Sequence, residues 1–211
     1  MKRLFIALFA ISGLAFTANA QEFGFAKGNV IVEGNIGFNS ENDKNAEEKS
    51  SSFSINPKVG YFVTDKIAVG LSLGFNTTKD EDYAAGSESV DKTNSFGIGV
   101  FGRYYFLELG KRFKTYAEVG LGYGTSRDET EVGGTTTKGP KVNTLGINAG
   151  IGANYFLTER IALNVGLANI INFESEKVDV SGAKATTNFG LAAGTVNNIF
   201  DVATFGLTFK F

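Results

Sequence analysis

The sequence predicts an all-β fold, an eight-stranded antiparallel up-and-down barrel, on three observations. Apolar residues alternate with small or polar ones along most of the chain, the period of a strand with one apolar face. Glycine stands at 27 of 211 residues and proline at 2, a composition foreign to helical bundles. The connections between alternating stretches are short and long by turns, as in a sheet with one trim end.

The N-terminus is read first, because it is not part of the sheet. Lys2 and Arg3 precede an apolar run from Leu4 to Phe16, and Ala18-Asn19-Ala20 supplies the small residues of a cleavage site. Residues 1–20 are therefore expected to be a cleaved signal peptide, and residues 21–211 the barrel domain. A run that short does not span a bilayer as a helix, and with no Cys at the cleavage point no lipid anchor is expected. Removing Lys2 and Arg3 leaves 18 basic and 22 acidic residues, a net charge of −4, which argues against nucleic acid as a partner.

The strands follow in order. The first carries Val30, Val32, Ile36 and Phe38 on one parity, the second Phe53, Ile55, Val59 and Tyr61, and the third Ile67, Val69, Leu71, Leu73 and Phe75. The fourth carries Phe96, Ile98, Val100, Tyr104 and Phe106, and the fifth Ala117, Val119, Leu121 and Tyr123. Leu145, Ile147, Ala149, Ile151 and Tyr155 mark the sixth, and Ile161, Leu163, Val165 and Leu167 the seventh. The eighth ends the chain with Phe205, Leu207, Phe209 and Phe211. Before it the apolar parity shifts, so a bulge or bend is expected between Asn197 and Thr204; a hairpin at Asn197-Asn198 would instead give nine strands.

Short connections run over Val63 to Lys66, Leu107 to Arg112 and Leu157 to Arg160. The long ones, Ser40 to Ser52, Thr77 to Asn94, Thr125 to Asn143 and Phe173 to Asn188, hold 15 of the 22 acidic residues. One unit occurs twice, YFVTDKIA at 61–68 and YFLTERIA at 155–162: it closes one strand, turns on polar residues and opens the next. Its aromatics, Tyr61, Phe62, Tyr155 and Phe156, with Tyr105 and Phe106 at the middle turn, are expected at the membrane interface.

A secreted barrel would face its apolar parity inward and a membrane barrel outward. The other parity decides between them. Glu33, Asn35, Asn56, Lys58, Arg103, Glu118, Asn148, Asn154 and Asn164, with many glycines, would make a poor soluble exterior but a suitable filling for a narrow lumen. A register centred on the turn between Gly110 and Lys111 sets Arg103 opposite Glu118 and Tyr105 opposite Tyr116. Confined charges need partners, so Arg103 and Glu118 are expected to pair across strands four and five, and Glu33 and Lys58 across strands one and two.

The chain thus resembles the small eight-stranded outer-membrane barrels, the OmpX and OmpA-transmembrane-domain type, through its signal peptide, its paired YFVTDKIAVG and YFLTERIALN turns and its closing FGLTFKF. The resemblance implies a multi-pass barrel in the outer membrane of a Gram-negative bacterium, with short periplasmic turns, long extracellular loops and both termini periplasmic. It implies contact with outer-membrane lipid and lipopolysaccharide. It also implies that Phe205, Leu207, Phe209 and Phe211 are the signal read by the barrel-assembly machinery. Function is less constrained, because this fold hosts many activities.

Barrel enzymes of the outer membrane rely on His, and the sequence has none; no enzyme, cofactor or metal is expected. GLGYGTS at 120–126 continues a strand with no helix after it, so it is no phosphate loop. Two readings remain: a structural or surface-interaction protein whose acidic loops meet an external ligand, and a small, gated pore for ions or small solutes.

Overall fold

The computed structural model describes residues 23–83, 88–191 and 204–211. The expected signal peptide and the expected bulge between Asn197 and Thr204 fall outside or largely outside them. Nine paired segments run up and down: β1 Val30–Asp43, β2 Glu48–Phe62, β3 Ile67–Asp82, β4 Ser89–Leu109, β5 Phe113–Val132, β6 Thr135–Phe156, β7 Ile161–Val178, β8 Thr186–Leu191 and β9 Thr204–Lys210.

They make eight staves. β8 pairs with β7 over Ile171–Glu176 and β9 pairs with β7 over Ile161–Gly166, so both lie on the same flank of β7 instead of forming a ninth hairpin. β9 also pairs with β1, and β6 with β7, which closes the ring. The register of β4 against β5 runs Val100↔Leu121, Arg103↔Glu118 and Tyr105↔Tyr116, with a shift only between Tyr105 and Leu107.

The repeated unit has a local cause. Thr64 Oγ1 accepts the backbone N–H groups of Lys66 (3.2 Å) and Ile67 (2.9 Å), and Thr158 Oγ1 accepts those of Arg160 (3.2 Å) and Ile161 (3.0 Å). Each threonine thereby supplies acceptors for a tight turn that the ladder cannot reach. At the other end the chain departs from the sequence-based boundaries. The segments expected as long loops mostly continue as two-stranded ribbons, β1 to Asp43 and β3 to Asp82. The β5–β6 ribbon closes on Gly133 (φ 57°) and Gly134 (φ 77°), a pair of left-handed residues suited to a two-residue hairpin.

The apolar parity faces outward: Leu71, Val100, Val119 and Leu121 are all exposed, as a surface meant for lipid must be. The inward parity is not the uniformly polar filling the sequence suggested. Toward the short turns it is aromatic and apolar, with Ile31, Phe62, Ala68, Tyr105 and Tyr116 in one buried cluster. Phe25, from the segment preceding β1, wedges into this cluster with its ring 4.5 Å from Phe62, 4.8 Å from Tyr105 and 5.0 Å from Phe156.

This corrects half of the aromatic assignment. Tyr61, Phe106 and Tyr155 are half exposed on the outer face, but Phe62, Tyr105 and Phe156 are buried inside the barrel. Neighbours along a strand point to opposite faces, so a Tyr-Phe pair cannot place both rings at the lipid interface.

Candidate functional site

The lumen is crossed toward its short-turn end by one arginine. Arg103 stands on β4, and its inward parity carries the guanidinium over the Tyr116 ring at 4.0 Å. From there it reaches two carboxylates on different strands. Nη1 and Nη2 donate to Glu33 of β1 at 2.9 and 2.5 Å, while Nε and Nη2 donate to Glu118 of β5 at 2.9 and 2.5 Å. The Glu33 contact spans the lumen, since β2 and β3 separate β1 from β4. The side chain is 1% exposed; a charge so enclosed requires this density of partners.

Lys58 completes the group by pairing with Glu118 at 2.5 Å. Here the expected second pair is corrected. Glu33 and Lys58 do face each other in the β1–β2 register, but Glu33 is ion-paired to Arg103 and Lys58 to Glu118. The planar fork of the guanidinium holds the two carboxylates at once along different edges, which leaves the Lys58 ammonium to Glu118.

Neutral groups close a ring around the charges. Arg103 Nη1 donates to the Tyr105 hydroxyl (3.2 Å), which donates to Asn154 Oδ1 (2.8 Å). Asn154 Nδ2 donates to Thr208 Oγ1 (3.0 Å), and Thr208 donates to Glu33 Oε2 (3.0 Å). The circuit joins β4, β6, β9 and β1, four walls of the barrel. Asn164 of β7 adds a contact to the Tyr116 hydroxyl at 3.1 Å.

Of these residues Tyr105, Tyr116, Thr208 and Phe101 were not foreseen as luminal partners. Parity could have found Tyr105 and Tyr116, since the register that faces Arg103 inward faces them inward too. Phe101 fills the lumen beside Lys58, its ring 5.2 Å from the ammonium.

Above the node the lumen widens toward the ribbons into a cavity of about 610 Å³, lined by Asn35, Asn56, Ser72, Asn148 and Asn172 among others and by backbone at Gly97, Gly99 and Gly122. At the ribbon mouth inward parity brings Glu41, Asp43, Glu48, Asp80, Asp82 and Asp91 around a cleft of about 450 Å³. Below the node lie the aromatic plug and Phe25. The remaining expected site residues, Phe205, Leu207, Phe209 and Phe211, all face outward at the closing seam, where Phe211 and Val30 exchange backbone hydrogen bonds at 2.8 and 3.0 Å.

Among the described residues no group of His, Cys, Asp and Glu is arranged to hold a metal ion. The arrangement is suited to blocking, bracing and electrostatic attraction.

Comparison with known proteins agrees with this architecture. The chain is 28% identical over 179 residues to the outer membrane porin F of Pseudomonas fluorescens, an alignment covering 83% of this chain and 52% of that one, so the chain spans about half the length of that relative. Its fold is similar to the outer membrane protein OprG of Pseudomonas aeruginosa, with a TM-score of 0.51, 14% identity, and 89% of this chain and 98% of that chain covered. Outer membrane protein W of E. coli aligns at a TM-score of 0.44 and 14% identity, over 89% of this chain and 99% of that one. The sequence profile of the outer membrane protein beta-barrel domain matches residues 5–211. An eight-stave ring with an apolar exterior and that match over nearly the whole chain lead to one conclusion: this chain belongs to the outer membrane protein beta-barrel family.

Proposed function

We propose that the chain is a non-enzymatic outer-membrane barrel with a closed lumen, whose working surface is the charged ribbon end. The observation that carries this reading is Arg103 held between Glu33 and Glu118 across the lumen, above an aromatic floor. A blocked lumen leaves the ribbons to meet other molecules, and the acidic cleft between Glu41 and Asp91 suits a cationic partner. The absence of His and Cys from the sequence supports the non-enzymatic part. In this reading the ribbons face the exterior, both termini face the periplasm, and the outward row Phe205, Leu207, Phe209 and Phe211 is what the barrel-assembly machinery reads. Reconstitution of the full-length barrel in planar bilayers tests it: no unitary conductance above the bare membrane is expected, and steady open channels overturn it.

A second reading, a small gated pore, is favoured by one observation. Glu118 is shared by Arg103 and Lys58, so a rotation of Arg103 away from β5 would leave Glu118 still paired with Lys58. In this reading the cavity of about 610 Å³ above the node is the vestibule. Brief conductance events that become long-lived in Arg103→Ala support the gate, and silence in both proteins removes it.

A further inference from the structure

On six consecutive strands the outer face repeats one spacing. Phe53 on β2, Phe75 on β3, Phe96 on β4, Tyr123 on β5, Leu145 on β6 and Phe173 on β7 are the last large apolar residues before the ribbons, and each is followed four residues nearer the ribbon tip by a cation. Those cations are Lys49, Lys79, Lys92, Arg127, Lys141 and Lys177. Four residues preserve the outward facing. They rise about 10 Å along the barrel axis for a strand tilted about 40°, from the edge of the hydrocarbon to the depth of lipid headgroups.

The inner face at the same height has the opposite charge, with Glu41, Asp43, Asp80 and Asp91 pointing inward. The ribbons read as acidic in bulk, yet they sort their charges by side.

Three of the outer cations of the ribbons are answered by outer acids. Lys49 and Lys79 pair with Glu81, and Lys138 pairs with Glu129 at 2.9 Å. Lys92, Arg127, Lys141 and Lys177 make no ion pair among the described residues, although Glu129 stands opposite Lys92 in the ladder. The register also places Arg127 face to face with Lys141, a like-charge arrangement that costs stability without an intervening anion; Lys79, opposite Lys92, has Glu81 as its anion. Arg127 adds a donor that the protein itself leaves unused, its Nε being buried with no hydrogen-bond partner among the described residues.

We propose that Lys92, Arg127, Lys141 and Lys177 form a belt over β4–β7 that binds the phosphates of lipid A-type headgroups in the leaflet surrounding the ribbon end. The occupant follows from position and charge. The belt continues an apolar surface that lies in lipid, so the anion beside it is a lipid's, and several cations on adjacent strands fit a headgroup carrying more than one phosphate. The belt also fixes orientation, because the ribbon end must then lie in the leaflet that contains the phosphorylated glycolipid.

The test uses the full-length protein in phosphatidylcholine nanodiscs doped with bis-phosphorylated lipid A or with phosphatidylglycerol, and measures retained lipid by native mass spectrometry. Wild type is expected to retain lipid A in preference to phosphatidylglycerol. At about fivefold per cation near a headgroup, the K92Q/R127Q/K141Q/K177Q protein is expected to lose at least about twentyfold in lipid A retention. A control with the same charge loss in exposed turns, K27Q/K44Q/K66Q/K111Q, is expected to stay within about twofold of wild type. Heat-modifiable migration reports folding of each, and single K141Q and K177Q proteins read the same loss stepwise if the fourfold variant misfolds. Unchanged retention in the belt variants, equal loss in the control, or equal retention of phosphatidylglycerol and lipid A would overturn the proposal.

Discussion

Arg103 and Glu33 are 70 residues apart in sequence and on strands separated by two others, yet two hydrogen bonds of 2.5 and 2.9 Å join them across the lumen. That bond turns the ring of strands into a braced cylinder, and its energetics can be measured. Arg103→Ala strands Glu33 and Glu118 without their main cation. A loss of about 3 to 5 kcal/mol is the usual cost of breaking a buried pair, and water in the cavity above should bring it toward the lower figure. In a double-mutant cycle with Glu33→Gln, the two losses should be far from additive. Additive losses in thermal unfolding would show that the contact contributes nothing.

Phe25 should anchor the segment before β1. Its ring stacks on Phe62 at 4.5 Å and touches two further aromatics. It is half-buried, so Phe25→Ala is expected to cost about 2 kcal/mol, below the range for a fully buried Phe. Phe25→Leu should restore most of it. The urea midpoint in detergent checks both.

Gly152 is required where it stands. A Cβ there would lie 2.4 Å from the Tyr116 ring, the ring that carries Arg103, so Gly152→Ala must displace the platform of the node. At Gly97 the nearest atom to an added Cβ is 3.6 Å away. Gly152→Ala should therefore destabilise by about 1 to 3 kcal/mol, and Gly97→Ala should be close to neutral. Equal effects in thermal melts would place Tyr116 elsewhere.

The lipid face can be mapped by substitution. Leu71 and Val119 are exposed near mid-strand, where an Arg costs about 2 to 4 kcal/mol against hydrocarbon. Their neighbours Ser72 and Gly120 face inward, and Ser72 lines the cavity. A probe at position 71 should be quenched by lipid-soluble quenchers and one at 72 by aqueous ones; the reverse pattern would turn the barrel inside out.

How much of this was legible in the sequence depends on the range of the forces involved. The period-2 alternation is local, so the strands and the Arg103↔Glu118 register can be read from neighbours alone, whereas the outward face of Leu71 needs the polar and glycine-rich make-up of the opposite parity summed over all the strands. The partner of Glu33 could not, because Arg103 reaches it across the lumen and nothing in the β1–β2 ladder records that distance. Residue type points Phe62 and Phe156 to the interface, although the same alternation that places Tyr61 and Tyr155 outside places them inside. The ribbons read as loops in the sequence because Ser, Thr and Gly are common in both. Gly133-Gly134 between Val132 and Thr135 was the available sign of a tight hairpin. Phe25 lies outside any periodic stretch, and its role is tertiary.

The central claim is that the node and its aromatic floor divide the lumen. Since the sequence contains no cysteine, Asn148→Cys would place a single thiol in the cavity above Arg103. With the protein inserted in one orientation in liposomes, a charged, membrane-impermeant thiol reagent should modify this cysteine from the ribbon side and leave it unmodified from the short-turn side. Rapid modification of Asn148→Cys from the short-turn side, in a barrel with Arg103 intact, would contradict a lumen closed by Arg103, Glu33 and Glu118.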